Sequence, residues 1–90
     1  MKNAIKEIQY RLQRKNVNFS MNQYVFNLFN KVYGLKDNEK YCYVHRQYKN
    51  PTYTYSIQAI DLIVEEILKD KENIIGKLKI ALEKTKKNSK

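Results

Sequence analysis

YCYVHRQYKNPTYTY, residues 41–55, carries five of the chain's eight tyrosines, with alternation at Tyr41/Tyr43 and again at Tyr53/Tyr55. Between the two runs lie His45, Arg46, Gln47, Lys49, Asn50 and Pro51. Alternating β-favouring residues around a polar Asn-Pro break predict a β-hairpin. Its tip is basic, rich in hydrogen-bonding groups and free of acids. Either Lys49-Asn50 or Pro51-Thr52 can occupy the turn, so the sequence leaves the register open.

Upstream, residues 3–15 read as a first helix. Ala4, Ile5, Ile8 and Leu12 share one face, Asn3 is placed to cap it, and Lys6, Gln9, Gln13 and Arg14 fall elsewhere. The Asn16–Asn18 break ends it, and the alternation of Val17 and Phe19 leaves room for a short strand. Ser20 with Gln23 three residues later matches a capping box, which predicts a second helix ending at Tyr33 with Gly34 as a left-handed terminator. Met21, Tyr24, Val25, Phe26, Leu28, Phe29, Val32 and Tyr33 give that helix a wide apolar arc, so it should be largely buried. Gln23, Asn27, Asn30 and Lys31 fill the remaining strip. Residues 35–40 connect to the hairpin with room for a single helical turn.

Downstream, Ser56 is a cap for a helix through Ile57, Ile60, Ile63, Val64, Ile67 and Leu68. Ile74, Ile75, Leu78, Ala81 and Leu82 continue the pattern, as one long helix or two bent near Asp70–Asn73. Ile60, Val64, Ile67, Ile74 and Leu78 follow a 4-3 spacing suited to a seam between two copies. The N-terminal helices are the other possible cover for it. Residues 84–90, KTKKNSK, read as a frayed, disordered basic tail. The expected organisation is one α+β domain over residues 1–83.

The chain has 90 residues and a formal net charge of +9, from eighteen Lys and Arg against nine Asp and Glu. A chain this short buries only about 60% of its unfolded surface, so the core is thin. The charge is unevenly spread: residues 51–70 hold one base and four acids, while residues 71–90 hold seven bases and two acids. A patterned positive field points to an anionic partner, here double-stranded DNA. The single Cys42 excludes an internal disulfide and suits a small buried hydrophobe. With no signal-like segment and no long apolar run, the expected setting is cytoplasmic, without membrane insertion.

Residue chemistry gives little sign of catalysis. Cys42 and His45 lie three apart, on opposite faces of a strand, and one of each cannot close a zinc site. Glu65 and Glu66 diverge on a helix. Gly34 and Gly76 are too few for a phosphate loop. The expectation is therefore a non-enzymatic protein with no catalytic residue, metal, cofactor or small-molecule substrate.

Binding is better served. Arg46, with Lys49 and Asn50, suits phosphates or the narrow minor groove of A·T-rich DNA, and Gln47, Tyr48 and His45 stand beside them. Gln23, Asn27, Asn30 and Lys31 form an amide-rich strip of the kind that pairs with adenine in a major groove, with Gln23, Asn27 and Lys31 the candidate contacts. Arg14, Lys15 and Lys36 are candidate phosphate contacts. The tyrosines either wall one face of the sheet or offer a stacking platform for single-stranded nucleic acid. Other readings are an RNA binder, a phage-type inhibitor of a host protein, and a basic helix within residues 71–90 lying on an anionic membrane, though without a Trp or Phe anchor.

The order of helix, capped helix, basic hairpin and long helix resembles the winged helix-turn-helix class. Small basic members rich in Lys and Asn look like the TcpK-type accessory factors of conjugative plasmids, which bind the transfer origin. The resemblance implies a long basic hairpin as wing, a helix facing the major groove, a C-terminal dimerisation helix and a homodimer on two half-sites, serving plasmid transfer or transcription regulation. That class has three helices before its wing, where two are evident here.

Overall fold

The computed structural model describes residues 4–46 and 49–88. In order, it contains α1 (Ala4–Arg14), α2 (Gln23–Tyr33), a 3-10 turn (Leu35–Asp37), β1 (Cys42–His45), β2 (Thr52–Tyr55), α3 (Ile57–Lys69) and α4 (Ile74–Asn88). The fold is α+β, with four helices and one two-stranded antiparallel sheet among the described residues. This order is compatible with a winged helix, with the 3-10 turn where a third helix would stand. α1 packs on α3 and α2 on α4, and Ile8, Leu12, Phe29, Ile63 and Ile67 sit between them with no exposure.

The start of α2 differs from the predicted capping box. Asn22, not Ser20, is the cap, and its side chain accepts from Val25 N at 3.0 Å. The reason lies in α1. The Gln9 amide clamps the incoming chain, donating from Nε2 to Phe19 O and accepting at Oε1 from Met21 N, both at 2.6 Å. This holds residues 19–21 outside the helix, and residues 17–20 carry no strand. Met21 and Phe26 are both buried, at the two positions joined by a hydrophobic staple. Gln9→Ala leaves two backbone groups without their partner. We expect a loss of about 1–3 kcal/mol, read as a lower urea midpoint at unchanged slope.

Gly34 ends α2 at φ 59°, ψ 41°, and its N–H bonds Asn30 O. A left-handed residue is required there, which glycine supplies without strain. The chain then enters the 3-10 turn, pinned by the fully buried Leu35.

The hairpin register is Cys42↔Tyr55, Tyr43↔Thr54, Val44↔Tyr53 and His45↔Thr52. Alternation therefore puts Cys42, Val44, Tyr53 and Tyr55 on one face and Tyr43, His45, Thr52 and Thr54 on the other. Tyr55 meets Phe26 of α2 edge-on at 4.9 Å, so the first of these faces is turned to the helices. Tyr43 is 65% exposed on the other. The strand tyrosines are thus split between packing and surface.

Ser56 caps α3 as expected. Its Oγ accepts from Ala59 N at 3.3 Å and donates to Lys40 O at 2.7 Å, fastening the helix to the approach to β1. Residues 57–83 form two helices rather than one. Asp70 makes the joint: it accepts from Asn73 N at 3.2 Å and pairs with Lys77 at 2.5 Å. The bond from Lys77 holds the Asp70 carboxyl below its ordinary range. α4 continues to Asn88, so its helix reaches into the segment predicted as a tail.

Bending the chain at Asp70 folds α4 back onto α2. Ile60, Val64, Ile67, Ile74 and Leu78, the residues expected to join two copies, are all at most 4% exposed inside the chain's own core. The N-terminal helices cover them, so they are not available to a seam.

Candidate nucleic-acid interface

Three cations from separate elements meet beside the hairpin. Lys31 lies in the last turn of α2, Lys36 on the 3-10 turn, and Arg46 directly after β1. With Asn27, Asn30 and Tyr53 they line an open cleft of about 640 Å³. Asp37 is the one acid among the lining residues. The local sequence explains the placement. Burying Leu35 turns Lys36 and Asp37 outward, and pairing Val44 with Tyr53 puts both on the hairpin face that borders the cleft. Lys36 Nζ stands 4.6 Å from the Tyr53 ring centroid, a cation–π contact at the mouth of the cleft.

Two amides distinguish the α2 wall. Gln23 Nε2 donates to Asn27 Oδ1 at 2.9 Å, which leaves the Asn27 amide nitrogen as its donor end. Asn30, expected on a solvated strip, is instead 8% exposed, and its Oδ1 has no hydrogen-bond partner. Its side chain hydrogen-bonds the Tyr55 hydroxyl, an interaction that favours the phenolate.

The other predicted contact residues are dispersed. His45 lies on the opposite hairpin face, its Nε2 2.8 Å from Thr54 Oγ1 and its ring edge-on to Tyr43 at 4.6 Å. Lys49 and Asn50 are exposed at the tip, while Gln47 and Tyr48 fall outside the described residues. Gln23 is exposed on α2 but does not line the cleft. Arg14 and Lys15 border a second hollow between α1 and α3, with Arg11, Asp61 and Glu65. Arg11 is committed there, to Glu7 at 3.0 Å and to Asp61, so that hollow is mixed in charge. The sequence places Asn30 on the amide strip but does not reveal its burial, and it gives no sign that Tyr53 lines the cleft. Arg46 and Tyr53 share the cleft only because the strands pair in this register.

Two partly buried phenols are held neutral. Burial, then a 3.0 Å bond to Glu66, pushes Tyr33 up to about 12. Burial also pushes Tyr55 up to about 12, with Asn30 opposing. Both are neutral in either state below the ordinary tyrosine value of 10.0. Between pH 10 and 12 the unfolded chain releases these protons first, so stability falls as pH rises through that window. After discounting for partial exposure, we expect about 1–2 kcal/mol lost per phenol near pH 12. Urea midpoints compared near pH 8 and pH 11 read it; an equal midpoint at both would contradict the burial of these rings.

A basic cleft on a small α+β domain is the arrangement of a polyanion-binding module. The family model of the EC042_2821-like restriction endonuclease-like domain matches residues 1–79, and the chain belongs to that family. No curated protein and no solved structure shows a significant match. The family is of nuclease type, which overturns the expectation of a non-enzymatic protein. Residue chemistry points the other way because the Cys42–His45 spacing, the diverging Glu65 and Glu66 and the two glycines match no familiar catalytic pattern. Among the described residues, no three His, Cys, Asp or Glu side chains gather as ligands for a metal ion, so no metal-dependent step is assigned to them. No helix of the described residues is long and apolar enough to cross a membrane. Neither the family nor the fold supports a place in conjugation or transcription regulation.

Proposed function

We propose that this nuclease-type domain engages double-stranded DNA through the cleft between α2 and the hairpin. The observation that carries the reading is the convergence of Lys31, Lys36 and Arg46 from three elements around one opening. Three cations a few ångströms from a common surface suit successive phosphates, and family membership supplies the matching substrate class. The hairpin acts as a wing: Arg46 grips where β1 runs into the turn, while Lys49 and Asn50 reach the backbone or minor groove from its tip. Asn27 and Lys31 face the same duplex from α2. The split of the strand tyrosines over both hairpin faces argues against a continuous stacking platform for single strands.

Competition between duplex and single-stranded DNA of equal length, at two salt concentrations, tests this reading. Preferential duplex binding with a steep salt slope is expected. Preference for the single strand would return the function to the exposed tyrosines.

A further inference from the structure

We infer that the cleft is also a pocket for one unstacked nucleobase whose Watson–Crick edge carries an amino group beside an acceptor ring nitrogen, adenine or cytosine. This deepens, and rests on, the DNA-binding reading of the same site. The first observation is the unpaired acceptor. Asn30 is more than nine-tenths buried and borders the cleft, and its Oδ1 has no partner. A buried acceptor left unmade is costly, so the site gains most from a ligand that brings an N–H donor.

The second observation is the neighbour three residues earlier on the same helix. Gln23 occupies Asn27 Oδ1, so Asn27 presents its amide nitrogen as a donor. A donor and an acceptor three positions apart on one helix lie on one face. An amino group next to a ring nitrogen, as adenine and cytosine both have, offers the complementary donor and acceptor. At the Watson–Crick position where adenine and cytosine carry the amino group, guanine and thymine carry a carbonyl, which would leave Asn30 Oδ1 facing another acceptor.

The third observation is the opposite wall. The Tyr53 ring is 38% exposed and already carries the Lys36 ammonium at 4.6 Å. A base entering the cleft can replace that ammonium on the ring, and the displaced Lys36 joins Arg46 and Lys31 at the phosphate. The cleft, at about 640 Å³, falls within the usual range of small-ligand sites. A single nucleotide drawn from a duplex would enter here, as in enzymes that must reach a base outside the stack.

Adenosine 5′-monophosphate and purine riboside 5′-monophosphate differ only by the amino group and isolate the claim. Titration of the intact chain with each, followed by backbone amide shifts, should show adenosine monophosphate binding about tenfold more tightly. The shifts should centre on residues 27–31 and 53. Asn30→Leu should abolish the difference between the two nucleotides; if that variant is unfolded, the wild-type comparison stands alone. Equal affinity of the two nucleotides, in a chain that does bind duplex DNA, overturns the inference. Failure to bind duplex DNA at all would instead remove the reading beneath it.

Discussion

Replacing Lys31, Lys36 and Arg46 together by glutamine should weaken binding to duplex DNA by a factor on the order of 10²–10³ near 0.1 M salt. The estimate follows from counterion release. Each phosphate neutralised contributes about 0.9 to the log–log salt slope, so three lost contacts flatten it by about 2–3. The three residues stand on three elements yet border one cleft, so one stretch of backbone can meet all of them. None of the three is held in an ion pair among the described residues. Their removal should leave folding almost untouched, since exposed charges contribute little to stability. A control variant, Lys69→Gln with Lys71→Gln and Lys84→Gln, changes the net charge equally on residues that do not line the cleft. If the two triple variants bind equally, the charge acts as a diffuse field and the cleft has no special part. Titration by fluorescence anisotropy at several salt concentrations measures both quantities.

Phe29→Ala should cost about 3–5 kcal/mol, enough to remove much of the stability of a domain this size. Phe29 is the largest side chain with no exposure, and it stacks on Tyr33 with ring centroids 6.0 Å apart. It sits on α2, the helix that packs on α4. Truncating it opens a cavity in a core too thin to collapse around the loss. At roughly 4–8 °C per kcal/mol, the melting temperature should fall by more than about 12 °C. Thermal and urea unfolding measure the effect. A loss below about 1 kcal/mol would mean that α2 is not the central helix of this fold.

Much of the helical frame was legible because it is written in local signals. Gly34 closes α2 and Ser56 caps α3 as their residue types require, and the apolar faces of α1 and α3 are the buried ones. The errors arose where a distant contact decided. Ser20 has the look of a cap, but Gln9, ten residues before Phe19, clamps the chain so that α2 begins only after Asn22. Periodicity through Ile60, Val64, Ile67, Ile74 and Leu78 is the same for a seam and for a core. Only the bend at Asp70, which returns α4 to α2, assigns it to the core.

The site was legible as a set of residues but not as a place. Lys31, Lys36 and Arg46 were among the candidate contacts, yet nothing local says that they share one opening while Arg14 and Lys15 face another. Strand register and the turn at Gly34 decide that. Asn30 shows the same limit: helical geometry put it beside Asn27, and the packing of the hairpin against α2 buried it. The absence of familiar catalytic spacing also misled, since family membership speaks for a nuclease-type protein that those spacings do not reveal.

The central claim is that duplex DNA is held in the cleft between α2 and the hairpin, and Arg46 tests it most directly. The measurement is an anisotropy titration of A·T-rich duplex DNA with the wild-type chain and with Arg46→Ala, at matched salt. The account predicts saturable binding by the wild type and a loss of about 1–3 kcal/mol in the variant. Superimposable curves for the two proteins would contradict it.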